Sequence, residues 1–351
     1  MNETTKKKQV WKTLAKIVFS AVVLYFLFRK CDWPELFSTL KNANLAYVLL
    51  AFFVVQITHV VAAFRWRLLC KKARFLPLFK LVYVSRLYST VLPGQLFGEA
   101  AKVVYISQSN PDISPEEATA SVVVDKIAGL IGLLLVGIGG VLFSVSMQSR
   151  DVLGWFAVCA LVLALCVALP AFPPVSRLIN RILDALKRRF PKTGGAAERL
   201  RLFLTSWQAY LKTPAILLFS VLTAGVFQLL STAGMALLGR SVGILVPLTD
   251  WCWIFAVLSV ALLLPVSFAG LGVREATLVG FLGALGASRE LALSASLLSL
   301  LIQIVDSLIG GAIVLFDPSM KRRVKTALRA EEAEVFSEAG ETPVPEETPD
   351  H

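Results

Sequence analysis

Apolar residues in this chain gather in long unbroken runs, not in the alternation of strands or the spaced stripe of a soluble helix. The runs fall near residues 11–28, 44–64, 119–147, 151–172, 213–239 and 290–316. Each is close to the ~20 residues a helix needs to cross a bilayer core. Strands of a membrane barrel would alternate over ~10-residue segments instead, and no such segments occur. The pattern predicts an all-α, polytopic membrane protein with about six full spans. The first run, "LAKIVFSAVVLYFLF", follows the lysine-rich "KKKQVWK" and is followed by "RKCDW". Charged and bulky residues stand where a signal peptide would place small ones, so it reads as a retained first helix.

Two further regions, 78–107 and 251–287, are apolar but interrupted by Pro, Gly and charge. The first contains "TVLPGQLFGEAAKVVYI" and the second "LPVSFAGLGVRE". Pro93, Gly94 and Gly98 break the first, and Pro265, Gly270 and Gly272 break the second. Basic clusters in the N-terminus, "RWRLLCKKARF", "RLINRILDALKRRF" and "KRRVKTALR" mark cytoplasmic segments by the positive-inside rule. Residues near 75 and near 180 are then on the same side, with two clean spans already between them. The broken region 78–107 must add an even number of crossings, and the same count applies to 251–287. Each is expected to be a broken or re-entrant hairpin, and the two would open from opposite sides. Opposed broken segments in two halves suggest an inverted repeat with a site near the midplane. The alternative is a pair of independently irregular loops.

Composition adds constraints. Of 351 residues, 56% are hydrophobic and 17% charged, with a mean hydropathy of +0.71. A soluble domain of this length needs more charged surface than that. The net charge of +11 is concentrated in clusters beside apolar spans, as in cytoplasmic anchors that touch anionic lipid. They lack the interleaved aromatics that stack bases, so no nucleic-acid partner is expected. Cys31, Cys70, Cys159, Cys166 and Cys252 form no CxxC pair, and the only histidines are His59 and His351. Neither a zinc-type site nor any cofactor is expected. Residues 176–201 read as a basic amphipathic segment on the inner leaflet or as a plain connector. Residues 1–329 read as one membrane-embedded domain, and 330–351 as an acidic, disordered cytoplasmic tail.

Ionisable groups at membrane depth are costly and are candidates for function. Here they are Arg86, Glu99, Lys102, Asp125, Lys126, Arg274, Glu275 and Asp306. Adjacent residues on a helix do not face one another, so Asp125 and Lys126, or Arg274 and Glu275, need partners on other elements. A pairing of Glu99 with Arg274 would tie the broken regions together. On one reading all of these are internal salt bridges. On the other, Arg86, Lys102 and Arg274 beside freed helix-start N–H groups hold a phosphate. Glu99, Asp125 and Glu275 would then hold a cationic group or a proton. No G-x-S-x-G, P-loop, dinucleotide or aspartate-rich metal motif is found, and no catalytic residue is assigned.

The pattern R-x-Y-x-x-x-LPG-x-x-x-GE-x-x-K from Arg86 to Lys102, then "SVVVDKIAGL", then "PVSFAGLGVREATLVGFL" resembles the lysylphosphatidylglycerol synthase transmembrane region, a flippase-like membrane domain family. In order and spacing the likeness covers most of residues 10–317. The resemblance implies a lipid-translocating domain in a bacterial or archaeal cytoplasmic membrane, with both termini cytoplasmic. Its implied translocation residues are Arg86, Glu99, Lys102, Asp125, Arg274 and Glu275. Members often have Glu or Arg where this chain has Asp125 and Lys126, which sets that pair apart. The aminoacyltransferase domain fused to well-known members has no counterpart before the acidic tail, so synthase activity is not carried over. The expected partner is an anionic phospholipid or a polyprenyl-phosphate-linked lipid, supplied by a separate lipid synthase or glycosyltransferase. A membrane enzyme acting on a lipid phosphate and a non-transporting scaffold are the competing readings. Oligomeric state has no signature in the sequence.

Overall fold

Helix starts are written locally in the sequence. In the computed structural model, Asp32 accepts from the Glu35 amide at 3.2 Å and Asn44 from the Ala46 amide at 3.0 Å. Ser114 accepts from the Glu117 amide at 3.1 Å and Ser288 from the Leu291 amide at 3.3 Å. Each side chain satisfies an amide that its helix leaves open. The structure describes residues 20–29, 31–70, 73–91, 113–168, 212–263 and 270–317, with isolated positions between. Its helices are α1 (Ser20–Arg29), α2 (Trp33–Lys41), α3 (Leu45–Leu69), α4 (Phe75–Val91), α5 (Pro115–Phe143), α6 (Met147–Ala168), α7 (Pro214–Ser241), α8 (Leu248–Leu263), α9 (Val273–Ala284) and α10 (Arg289–Phe316). The chain is all-α and polytopic, as the apolar runs predict. Among the described residues four helices, α3, α5, α7 and α10, are long and apolar enough to cross a membrane. The run 151–172 becomes α6, and the first run is described only over α1.

The long helices are inside-out by soluble standards. On α3 the exposed face carries Leu49, Phe53, Ile57, Val60 and Phe64, and the buried face carries Ala51, Thr58, His59, Ala63 and Trp66. On α7 Leu218, Leu222, Val226 and Leu229 face outward, while Ser220, Ala224, Gln228 and Thr232 are buried. Lipid solvates the apolar face as well as a protein core would. Small and polar residues therefore go to the helix–helix contacts.

At one end, here called the basic end, the Tyr210 hydroxyl donates to the Leu69 carbonyl at 3.0 Å and Lys80 pairs with Asp317 at 2.9 Å. At the opposite end the Asn44 amide donates to the Ser241 carbonyl at 2.8 Å. There Ser144 and Ser146 donate to Asp250 Oδ1 at 2.6 and 2.7 Å. Helix α4 starts at the basic end and α8 at the opposite one. Their 17 and 16 residues reach about 25 Å, short of a ~30 Å core. The Lys102 ammonium lies 5.3 Å from the Trp66 ring centroid, toward the basic end. Helix α9, 12 residues long, returns from mid-depth to the opposite end. The described helices α3, α4 and α5 and the helices α7, α8, α9 and α10 thus run in opposite senses, while the turn and return arm of the first broken region, and with them the expected inverted repeat, lie outside the described residues.

The packing follows the same exchange. Helix α3 lies on α7, α4 on α10 and α8 on α5. Small residues allow the close crossings: Gly310 on α10 meets the Tyr83 carbonyl of α4, and a methyl on Gly140 of α5 would fall 2.6 Å from Cys252 Cβ of α8. One apolar cluster, with Trp251, Trp253, Leu278 and Leu282, fills the opposite half. Another, with Trp66, Leu78, Leu81 and Tyr105, fills the basic half. The buried polar groups of Arg274, Glu275, His59 and Asp306 lie between them.

A polar seam where the half-helices meet

Helix α9 begins inside the protein, so its first amides need partners. Gly270 and Gly272 take φ of +79° and +85°, the left-handed region that glycine enters without a side-chain penalty. Glu275 then folds back on its own helix start. Its Oε2 accepts from the Gly272 amide at 2.6 Å and its Oε1 from Ser296 Oγ of α10 at 2.8 Å. A carboxylate suits the positive end of the helix, and both of its oxygens are occupied.

The neighbouring Arg274, also buried, donates to Gln303 Oε1 at 2.5 Å and to Ser299 Oγ at 3.5 Å, both on α10. Gln303 lies near the middle of α10, and its Nε2 donates to Thr90 Oγ1 in the last turn of α4 at 3.3 Å. Ser307 donates to the same Thr90 hydroxyl at 3.0 Å. One glutamine therefore joins half-helices that enter from opposite ends. Arg86, one turn before Thr90, is exposed. It stands close enough for its charge to act on Arg274, His59 and Asp306. No hydrogen bond holds its guanidinium among the described residues.

One turn along α10 from Gln303, Asp306 Oδ1 accepts from Gln56 Nε2 at 2.9 Å, and its Oδ2 lies 3.2 Å from His59 Nε2. The Tyr83 hydroxyl donates to Gln56 Oε1 at 2.5 Å, and its ring lies 4.8 Å from that of His59. Helices α3, α4 and α10 are thereby joined through polar side chains.

A separate cluster lies nearer the basic end. Arg65 Nε and Nη2 donate to Asp125 Oδ1 and Oδ2 at 2.6 and 3.1 Å, a two-pronged bond between α3 and α5. The Trp66 indole donates to Ser121 Oγ at 3.3 Å beside it.

Of the residues singled out from sequence, the seam brings together Arg86, Arg274, Glu275 and Asp306, with Gly270 and Gly272 shaping the turn. Asp125 and Lys102 fall instead in the basic-end cluster, and Lys126 is exposed. Glu99, Pro93, Gly94, Gly98 and Pro265 lie outside the described residues, as do 185–200 and the acidic tail. The expected tie between Glu99 and Arg274 is therefore not addressed, and the observed tie runs through Gln303. Gln56, Tyr83, Thr90 and Gln303 are uncharged and carry no mark in the sequence, and His59 reads there only as a possible metal ligand. Arg65 hides in the basic run "RWRLLCKKARF", although α3 continues through it to Leu69.

The family described as "Lysylphosphatidylglycerol synthase TM region" matches residues 13–310. The UPF0104 membrane protein PH1989 of Pyrococcus horikoshii is 24% identical over 335 residues, which cover 87% of this chain and 96% of that protein.

Proposed function

Because the chain belongs to the lysylphosphatidylglycerol synthase transmembrane-region family, we propose that it moves a lipid with an anionic phosphate head group between leaflets. The observation that carries this reading is the meeting of α4 and α9, from opposite ends, at Gln303 between Arg86 and Arg274. A head group crossing ~30 Å of hydrocarbon must exchange its water for fixed polar groups at mid-depth. Two guanidiniums, one buried and tied and one exposed, supply donors and charge there. The acyl chains remain in lipid beside the exposed apolar faces.

The same reading puts the protein in the cytoplasmic membrane with its basic end and both termini inside. A separate synthase or glycosyltransferase, acting on the lipid phosphate, would supply the substrate. The test is reconstitution into vesicles carrying fluorescent phosphatidylglycerol, with quenching of the outer leaflet. Protein-dependent loss of the protected inner-leaflet signal is expected, and Arg86→Gln should slow it at least tenfold. Unchanged leaflet distribution with every anionic lipid offered, including a polyprenyl phosphate, would refute the reading. A new lipid species in the same vesicles would point to an enzyme instead.

A further inference from the structure

Anion binding at Arg86 and Arg274 leaves one buried ionisable group without a task, the pair His59 and Asp306. Both are nearly inaccessible, at 1% and 3% exposed. Thr58 Oγ1 lies 3.2 Å from His59 Nδ1 and gives its own hydrogen to the Val55 carbonyl at 2.6 Å. Toward the ring that hydroxyl has only lone pairs to offer, so Nδ1 carries the hydrogen. In a neutral ring of that tautomer Nε2 is an acceptor. It faces Asp306 Oδ2 at 3.2 Å, off the line of a good hydrogen bond. An ionised carboxylate is an acceptor as well, and opposed lone pairs in a buried site are unfavourable. One proton resolves the conflict, carried either by the ring or by the acid. With it the pair is neutral overall, and without it the pair carries one negative charge.

The other groups that bear on this pair are few. Helix α4 contributes Tyr83 and Arg86, α9 contributes Arg274 and Glu275, and α10 contributes only Asp306 at this depth. Helix α5 contributes Asp125, already engaged by Arg65. Helix α7 has no ionisable side chain before Arg240.

We propose that His59 and Asp306 form a proton-binding site coupled to the anion site, so that an anionic head group and a proton are bound together. Once protonated, the pair leaves the field of Arg86 and Arg274 free for a phosphate. Deprotonated, it places a carboxylate one turn from Gln303 and offsets that field. By linkage, the factor by which the proton tightens the anion is the factor by which the anion tightens the proton. The proton enters from water at the side where the anion enters, and leaves with it on the other. What the anion is, and that it crosses, rests on the translocation reading. The existence of the proton site does not.

The chain's two histidines make the test direct. Protein labelled with 15N-histidine is placed in phosphatidylcholine nanodiscs, with and without phosphatidylglycerol, and titrated by NMR. A His351→Gln variant assigns the tail signal. The His59 ring is expected to titrate about one pH unit higher when phosphatidylglycerol is present. Asp306→Asn should move it to lower pH, since the carboxylate that favours the charged ring is gone. Arg86→Gln should abolish the lipid effect and leave the Asp306 effect. A His59 ring that titrates like His351 and ignores phosphatidylglycerol in the unmutated protein would overturn the proposal, whatever the variants' folding. Vesicle exchange separates the two readings. A lipid-dependent His59 titration without exchange removes translocation and keeps the proton site. Exchange that is independent of pH in the unmutated protein removes the coupling and keeps translocation.

Discussion

Replacing Asp125 with asparagine isolates the basic-end cluster from the seam. The variant keeps the shape of the side chain but removes the charge that Arg65 meets with two prongs at 2.6 and 3.1 Å. Side-chain exposures of 8% for Arg65 and 13% for Asp125 mark the pair as buried. Two magnitudes compete. Deleting one partner of a buried pair costs ~3–5 kcal/mol in soluble proteins, whereas polar contacts between membrane helices average ~0.6 kcal/mol with a maximum near ~1.7. The second scale comes largely from neutral groups that find partners in the unfolded state. A stranded guanidinium has fewer such options, but Arg65 sits one turn from the end of α3, where its stem can extend toward the interface. The Phe227 ring, 5.6 Å from the guanidinium carbon, retains part of the charge stabilisation. The expected cost is therefore intermediate, about 2–3 kcal/mol.

Unfolding in mixed micelles with increasing dodecyl sulfate measures that cost directly. Asp125→Asn should shift the folding equilibrium by roughly 30- to 150-fold, since 1.4 kcal/mol is about a factor of ten. The double variant Arg65→Met, Asp125→Leu should recover most of the loss, because no buried charge is then left behind. A single variant within about 0.5 kcal/mol of the unmutated protein, or a double variant equal to the sum of its parts, would refute the account of a tightly coupled pair.

Gln303→Leu removes the shared partner of Arg274 and Thr90, so lipid exchange in vesicles should fall at least tenfold while micelle stability drops by only about 1–2 kcal/mol. Gly310→Ala brings a methyl against the Tyr83 carbonyl at the α4–α10 crossing, and unfolding should show a loss of about 1–3 kcal/mol from overpacking. Burial, with Glu290 next in effect, pushes the Cys31 thiol up from its ordinary range. With the other cysteines replaced, a membrane-impermeant maleimide should label Cys31 slowly near neutrality. Because the thiolate is the nucleophile, the rate should still rise about tenfold per pH unit through pH 9, where an ordinary thiol begins to level off. Labelling of whole cells should reach Cys31 from outside, since it lies at the end opposite the basic clusters.

Much of the architecture is legible in one dimension, because lipid removes most alternatives. An apolar run of ~20 residues has to be a helix there, and α3, α5, α6, α7 and α10 fall on the runs. Basic loops give the broken regions an even number of crossings by parity, an expectation whose first half falls mostly outside the described residues. The site is only partly legible. Charge marks Arg86, Arg274, Glu275 and Asp306, because an ion at that depth needs an explanation. Gln56, Thr90 and Gln303 carry no such mark, as polar uncharged residues occur throughout membrane helices. The error over Arg65 has a related cause. A basic residue near a helix end reads as an interfacial anchor, and only the position of Asp125 on another helix turns it inward. His59, which the sequence offers only as a possible metal ligand, gains a role once Asp306 is placed opposite it.

The way the charges are satisfied bears on the choice between a scaffold and a translocase. A scaffold that uses ion pairs only to hold its helices should match every intramembrane charge with a partner. Arg65 and Asp125 fit that rule, and so does Glu275, spent on its own helix start. Arg274 fits it less closely, because its donors meet neutral oxygens of Gln303 and Ser299, and the charge of Glu275, spent on the helix start, reaches it only through space. Arg86 departs further, being exposed and without a hydrogen-bonded partner among the described residues. A guanidinium at mid-depth costs a few kcal/mol even by the lowest scale, and although Glu275 acts on Arg274 more strongly, Arg86 within electrostatic reach adds repulsion. A fold retains such an arrangement more readily if an anion offsets the cost, and on the translocation reading that anion travels with lipid. That favours a phosphate head group over a free ion. It also makes Arg86→Gln the decisive substitution: a scaffold should gain stability from it, and a translocase should lose exchange.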